Sequence, residues 1–123
     1  MTRDELIRET RRLVDEGERL QRDPSLGGLR LWLQLSDDLL SAAWGSMDRY
    51  HLAWLSVGRP KAPWGRALSG DEEAAYVREV AEQKTAALRM SLKAADEQQM
   101  PFRGETGPGL GEGAGMGDLP GRS

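Results

Sequence analysis

Leucine recurs at positions 6, 13 and 20, with Ile7 and Val14 beside the first two. A seven-residue apolar spacing is close to two turns of α-helix and gathers these side chains on one face. The segment is therefore constrained to be a helix that buries a stripe against something else. Ahead of it, Thr2-Arg3-Asp4-Glu5 has the S/T-x-x-E spacing of a capping box, in which Thr2 and Glu5 each satisfy a backbone donor. Together these predict a first helix from there to about Arg22. Acid precedes base by four residues at Asp4/Arg8, Asp15/Arg19 and Glu18/Arg22. Each such pair adds roughly 0.2–0.5 kcal/mol on a solvated helix face. Gly17 falls in the apolar seam, where it costs about 1 kcal/mol of helix propensity and lets another helix or a tryptophan approach closely.

A second helix is expected over about 26–44, with Asp23-Pro24 as its N-cap and first turn. Leu29, Trp32, Leu33, Leu39, Leu40, Ala43 and Trp44 fit helical spacing. The run Leu31-Trp32-Leu33-Gln34-Leu35 is so apolar that this helix is expected at the centre. Alternation of Leu29, Leu31, Leu33 and Leu35 also fits a strand. Helix is preferred because the 3.6-residue pattern continues to Trp44. Gly45 then breaks the chain. Ser46 and Asp48 open a short third helix that carries Met47, Tyr50, Trp54 and Val57 inward and stops at Gly58. Pro60 and Pro63 exclude regular helix over 59–66. Ser69-Gly70-Asp71-Glu72 repeats the capping-box spacing and starts a fourth helix running to about Gln98. Its stripe of Val77, Val80, Ala81, Ala87, Leu88, Leu92 and Ala95 is thin and alanine-rich, suited to close helix contact.

Beyond Met100-Pro101 glycine recurs at 104, 107, 109, 111, 113, 115, 117 and 121. So polar and flexible a tract does not recover its ordering entropy, and residues 99–123 read as a disordered tail on a 1–98 domain. The expected fold is all-α: a small up-down bundle of three longer helices and one short helix, followed by that glycine-rich tail.

Apolar residues at 38% against charged residues at 30% fit a globular domain with a heavily solvated surface. A formal charge of −3 argues against generic binding to a nucleic-acid backbone. The chain has no cysteine, which excludes disulfides, thiolate zinc sites and a cysteine nucleophile. Met1-Thr2-Arg3-Asp4-Glu5 is charged at once, unlike a signal peptide, and no apolar run reaches the roughly 20 residues that span a bilayer. A cytoplasmic location and no membrane partner are expected.

Catalytic signals are sparse. His51 is the sole histidine and belongs to no metal-ligand spacing. A lone histidine between Tyr50 and Leu52 more often shields a core edge than ligates a metal. Acid pairs lie mostly at caps and outer faces; only Asp37 and Asp38 fall within the most apolar helix, where a buried carboxylate needs a partner. An enzyme reading would rest on Asp37 or Asp38 near His51. Neither a phosphate-binding loop nor a G-x-S-x-G nucleophile elbow is present. No catalytic residue, metal or cofactor is therefore expected.

The most distinctive local feature is the loop 59–66, in which Trp64 stands among Arg59, Lys61 and Arg66. Two readings stay open: Trp64 folds back to close one end of the bundle, or it is an exposed anchor whose cations grip an acidic partner or a base. Trp32, Trp44 and Trp54 lie on apolar stripes and are expected in the core. A nucleic-acid alternative would use the loop with Arg8, Arg11, Arg12, Arg19 and Arg22 on the first helix.

Leu13-Val14-Asp15-Glu16-Gly17-Glu18-Arg19-Leu20, the segment Trp32 to Leu40, and Trp44-Gly45-Ser46-Met47-Asp48 together resemble small helical modules of multidomain bacterial proteins, some of them defence-associated. In those modules an EG turn of helix, a tryptophan-bearing second helix and a glycine-serine break recur. The resemblance covers about residues 6–57. It implies oligomerisation or docking to another domain or subunit, and assigns no functional residue. The reading that follows is a non-enzymatic interaction or oligomerisation module, a small subunit whose first and fourth helix stripes receive a protein partner or a second copy.

Overall fold

The computed structural model describes residues 1–59 and 68–106, which form four helices and no strand. Helix α1 spans Arg3–Arg22, α2 Leu26–Trp44, α3 Arg49–Ser56 and α4 Gly70–Asp96. The alternation at 29–35 is thus part of a helix. Both capping boxes are made, Thr2 with Glu5 and Ser69 with Glu72. At the intervening junctions the caps differ from expectation. Asp23 closes α1, and Ser25 rather than Asp23 caps α2, its hydroxyl accepting from the Gly28 N–H at 3.1 Å. Asp48 caps α3.

The deepest interface joins the first helix to the last. Leu6, Leu13 and Leu20 face Val77, Val80, Ala81 and Leu88, all buried, in an antiparallel pair. Gly17 supplies the close approach: a Cβ there would lie 2.0 Å from Thr85 Oγ1 and 2.8 Å from the Trp32 ring. Arg11 pairs with Asp96 at 2.7 Å and Glu18 with Arg89 across the same helices. Glu18 therefore reaches α4 instead of Arg22, and Arg19 pairs with Glu16 rather than Asp15.

Helix α2 lies on this pair and is not central. Trp32 is buried and donates its indole N–H to the Leu13 carbonyl at 2.8 Å; Trp44 donates to Ser91 Oγ at 2.8 Å. Trp54 is buried as well. Leu31 and Leu35, which a central helix would cover, are 62% and 49% exposed, because the face of α2 turned toward α1 and α4 is already filled by Leu29, Trp32, Ser36, Leu40 and Ala43.

The fourth helix does not lead directly into a tail. Gln99 turns the chain at φ 49°, and the Met100 N–H reaches the Ala94 carbonyl at 2.8 Å. Phe102 is buried against Trp44, with ring centroids 5.7 Å apart. Gly104 N–H donates to the Ala43 carbonyl at 2.9 Å, and Thr106 N–H to the Met1 carbonyl at 2.8 Å. A Cβ on Gly104 would sit 2.4 Å from the Ala42 carbonyl oxygen, so this glycine serves close backbone contact rather than flexibility. Residues 99–106 are a strap on the bundle, and the boundary expected at 98 moves past them. The rest of the expected tail, 107–123, lies outside the described residues. No described helix is long and apolar enough to cross a membrane.

Candidate functional site

The short helix α3 is held by its histidine. Gly45 adopts φ 108° and Met47 φ 64°, so the chain reverses sharply between α2 and α3. The Met47 N–H donates to His51 Nδ1 at 2.9 Å, which leaves the ring proton on Nε2, where it is donated to the Asp37 carboxylate. The turn puts Met47 outward, 60% exposed, against the inward placement expected for it. His51 is itself buried and stacks parallel to Trp54 at 6.3 Å between centroids.

The juxtaposition of Asp37 with His51 is the one an enzyme reading needs, but both imidazole nitrogens are engaged within the fold. With Nδ1 occupied by a backbone N–H, the ring has no free lone pair for a substrate proton. Asp38 is exposed and accepts from Gln34 Nε2 at 2.9 Å. Among the described residues no three acidic or histidine side chains are placed to hold a metal.

Beside this pair a groove of about 700 Å³ runs between α2, α3 and α4. Leu33, Met47, Leu52, Trp54 and Leu55 give it apolar lining, and Arg30, Arg59, Lys84 and Asp37 are its charged groups. Lys84 is buried, donates to the Trp54 carbonyl, and lies 4.1 Å from the centroid of the Trp54 ring. Burial pushes its ammonium down to about 8, Arg59 adds to the depression and Asp37 opposes it. Lys84 was not among the sequence candidates, although position 84 falls on the α4 stripe, seven after Val77 and four before Leu88. A lysine on an apolar stripe is the signal that marks it. Of the four loop candidates, the groove contains Arg59; Lys61, Trp64 and Arg66 lie outside the described residues.

A second feature lies on the other side of α2. Leu31 and Leu35, one turn apart, border a cavity of about 340 Å³ between α1 and α2, with Leu13, Gly28 and Trp32 as further apolar lining and Arg12, Glu16 and Arg19 as its charged lining. By contrast, the stripes of α1 and α4 offered to partners by the sequence are spent on each other. The α1 arginines also face acids: Arg11 meets Asp96, Arg12 lies 3.6 Å from Glu9 and Arg19 pairs with Glu16. That pairing dilutes the basic face a nucleic acid would need.

Fold and surfaces thus define a small helical bundle with two open faces on α2, one apolar with rim charges of both signs and one cationic. No family model, curated protein or solved structure matches the chain.

Proposed function

We propose that this protein is a non-enzymatic, self-associating interaction module of the cytoplasm, a small subunit of the kind its resemblance to bacterial helical modules implies. The observation that carries this reading is the exposure of Leu31 and Leu35 over the α1–α2 cavity. Fully burying a leucine side chain is worth roughly 1.5–3 kcal/mol. Leu31 and Leu35 are about half exposed, so the four of them in two copies gain roughly 3–7 kcal/mol, at the low end of the cost of pairing two chains, roughly 4–15 kcal/mol. Association is accordingly weak and concentration-dependent. A second copy suits this face because its rim carries both signs, so that across a two-fold axis Arg12 of one copy lies against the Arg19-paired Glu16 of the other.

The test is solution mass by light scattering over a concentration series at low and high salt. The wild-type chain forms a dimer as concentration rises, whereas Leu31→Lys/Leu35→Lys, which sets like charge beside Arg12 and Arg19, stays monomeric with an unchanged helical circular dichroism spectrum. A wild-type monomer at every concentration, or a dimer indifferent to the double substitution, overturns the reading.

A further inference from the structure

The α2–α3–α4 groove differs from the self-association face in sign. Its cations, Arg30, Arg59 and Lys84, outnumber its one carboxylate in a chain whose formal charge is −3. Asp37 is tied down by His51, and Arg30 and Arg59 are exposed and make no ion pair among the described residues. Lys84 has three N–H donors and uses one on the Trp54 carbonyl.

We propose that this groove docks an acidic amphipathic helix from a partner protein, its apolar face on Leu33, Leu52 and Leu55 and its carboxylates toward Arg30 and Arg59. Three observations select this occupant. The groove is an open trough, whereas small-molecule sites enclose most of their ligand's surface. From Arg30 to Asp37 it follows α2 for about two turns, roughly 10 Å at 1.5 Å per residue, which matches helix anchors at i, i+3 or i+4, and i+7. Met47 and Leu52 stand 60% and 44% exposed along it, so apolar surface as well as charge awaits cover. A second copy seated groove to groove would oppose like charges. The chain's own residues 107–123 carry glycine at nearly every second position and make a poor helix.

The proposal goes beyond self-association and uses different residues, so Leu31→Lys/Leu35→Lys leaves it intact. The experiment is fluorescence anisotropy of the full chain with a labelled synthetic helix that places leucine at i, i+3, i+4 and i+7 and glutamate elsewhere. Controls are the same peptide with lysine for glutamate, polyglutamate, and a single-stranded oligonucleotide. The glutamate–leucine peptide binds and the lysine–leucine peptide does not. Arg30→Glu/Arg59→Glu weakens binding by about tenfold or more and turns the preference toward the lysine peptide, as reversal of complementary charge requires. Leu52→Glu weakens it as well, and all variants keep the wild-type circular dichroism spectrum. Four results would each overturn the proposal: no binding of the acidic helix, equal binding of both peptides, indifference to the substitutions, or polyglutamate or the oligonucleotide binding as tightly as the acidic helix. The last result would define a general polyanion surface.

Discussion

Lys84 sits with its stem in the bundle and its ammonium against the Trp54 carbonyl and ring. Because its folded value lies at about 8, below the ordinary 10.5, the unfolded chain holds more protons than the folded one between those two pH values. Stability therefore rises with pH across that window, as the burial penalty on the charged form is relieved. Urea unfolding midpoints measured from pH 7.5 to 10.5, about the span between the two values, will rise more in the wild type than in Lys84→Met. Parallel curves would mean that Lys84 titrates normally. Gly17 makes the opposite kind of demand. Alanine there gains about 1 kcal/mol of helix propensity but meets Thr85 Oγ1 and the buried Trp32 ring, and overpacking of that sort costs about 1–3 kcal/mol. Thr85 can turn away, whereas the Trp32 ring is fixed by its bond to the Leu13 carbonyl. Gly17→Ala is expected to lose up to about 2 kcal/mol net in urea unfolding; a higher midpoint would show that the seam is looser than described.

At the scale of elements, local signals located the helices well. The capping boxes at Thr2 and Ser69 and the break at Gly45 mark observed boundaries, because caps satisfy donors within a few residues and need no tertiary information. The covered face of α2 was legible too, since Leu29, Trp32, Leu40, Ala43 and Trp44 of the helical stripe are buried; what the sequence did not reveal is that the helix is peripheral. Leu31 and Leu35 lie off that stripe, and only the arrangement of α1 and α4 on one side of α2 leaves them uncovered, where a central helix would have buried them as well. Met47 misled for a related reason: its outward aim follows from a left-handed backbone value that no pattern of hydrophobicity encodes. The candidate site was legible in part. Arg59, Asp37 and His51 were singled out from residue type, while the groove that joins them to Arg30 and Lys84 is a product of packing three helices. The strap was concealed by its glycine-rich company. Phe102, buried on Trp44 with the Arg3 guanidinium 5.3 Å from its ring centroid, should cost about 3 kcal/mol when changed to alanine. Thermal unfolding checks this, and an unshifted midpoint would detach the strap from the cooperative unit.

For the molecule as a whole, the two faces of α2 imply separable behaviours. The mixed-sign apolar face sets the concentration at which copies pair, and the cationic groove sets the sign of a heterologous partner. Each has its own double substitution, Leu31→Lys/Leu35→Lys or Arg30→Glu/Arg59→Glu, and the effects should be largely separable because the two sets of side chains line different faces of α2. Light scattering and peptide anisotropy on the quadruple variant would show a monomer that ignores the acidic helix; recovery of either property would reveal coupling through α2.

The pairing of the first helix with the last also bears on how the chain is made. A ribosome delivers α1 well before α4, and at about 5–20 residues per second the interval is roughly 4–15 s. Throughout that time the stripe of Leu6, Leu13 and Leu20 lacks the share of its native cover that α4 supplies, and α2 can shield only part of it. During those seconds the uncovered part of the stripe is open to aggregation, and slower translation between α1 and α4 lengthens that exposure.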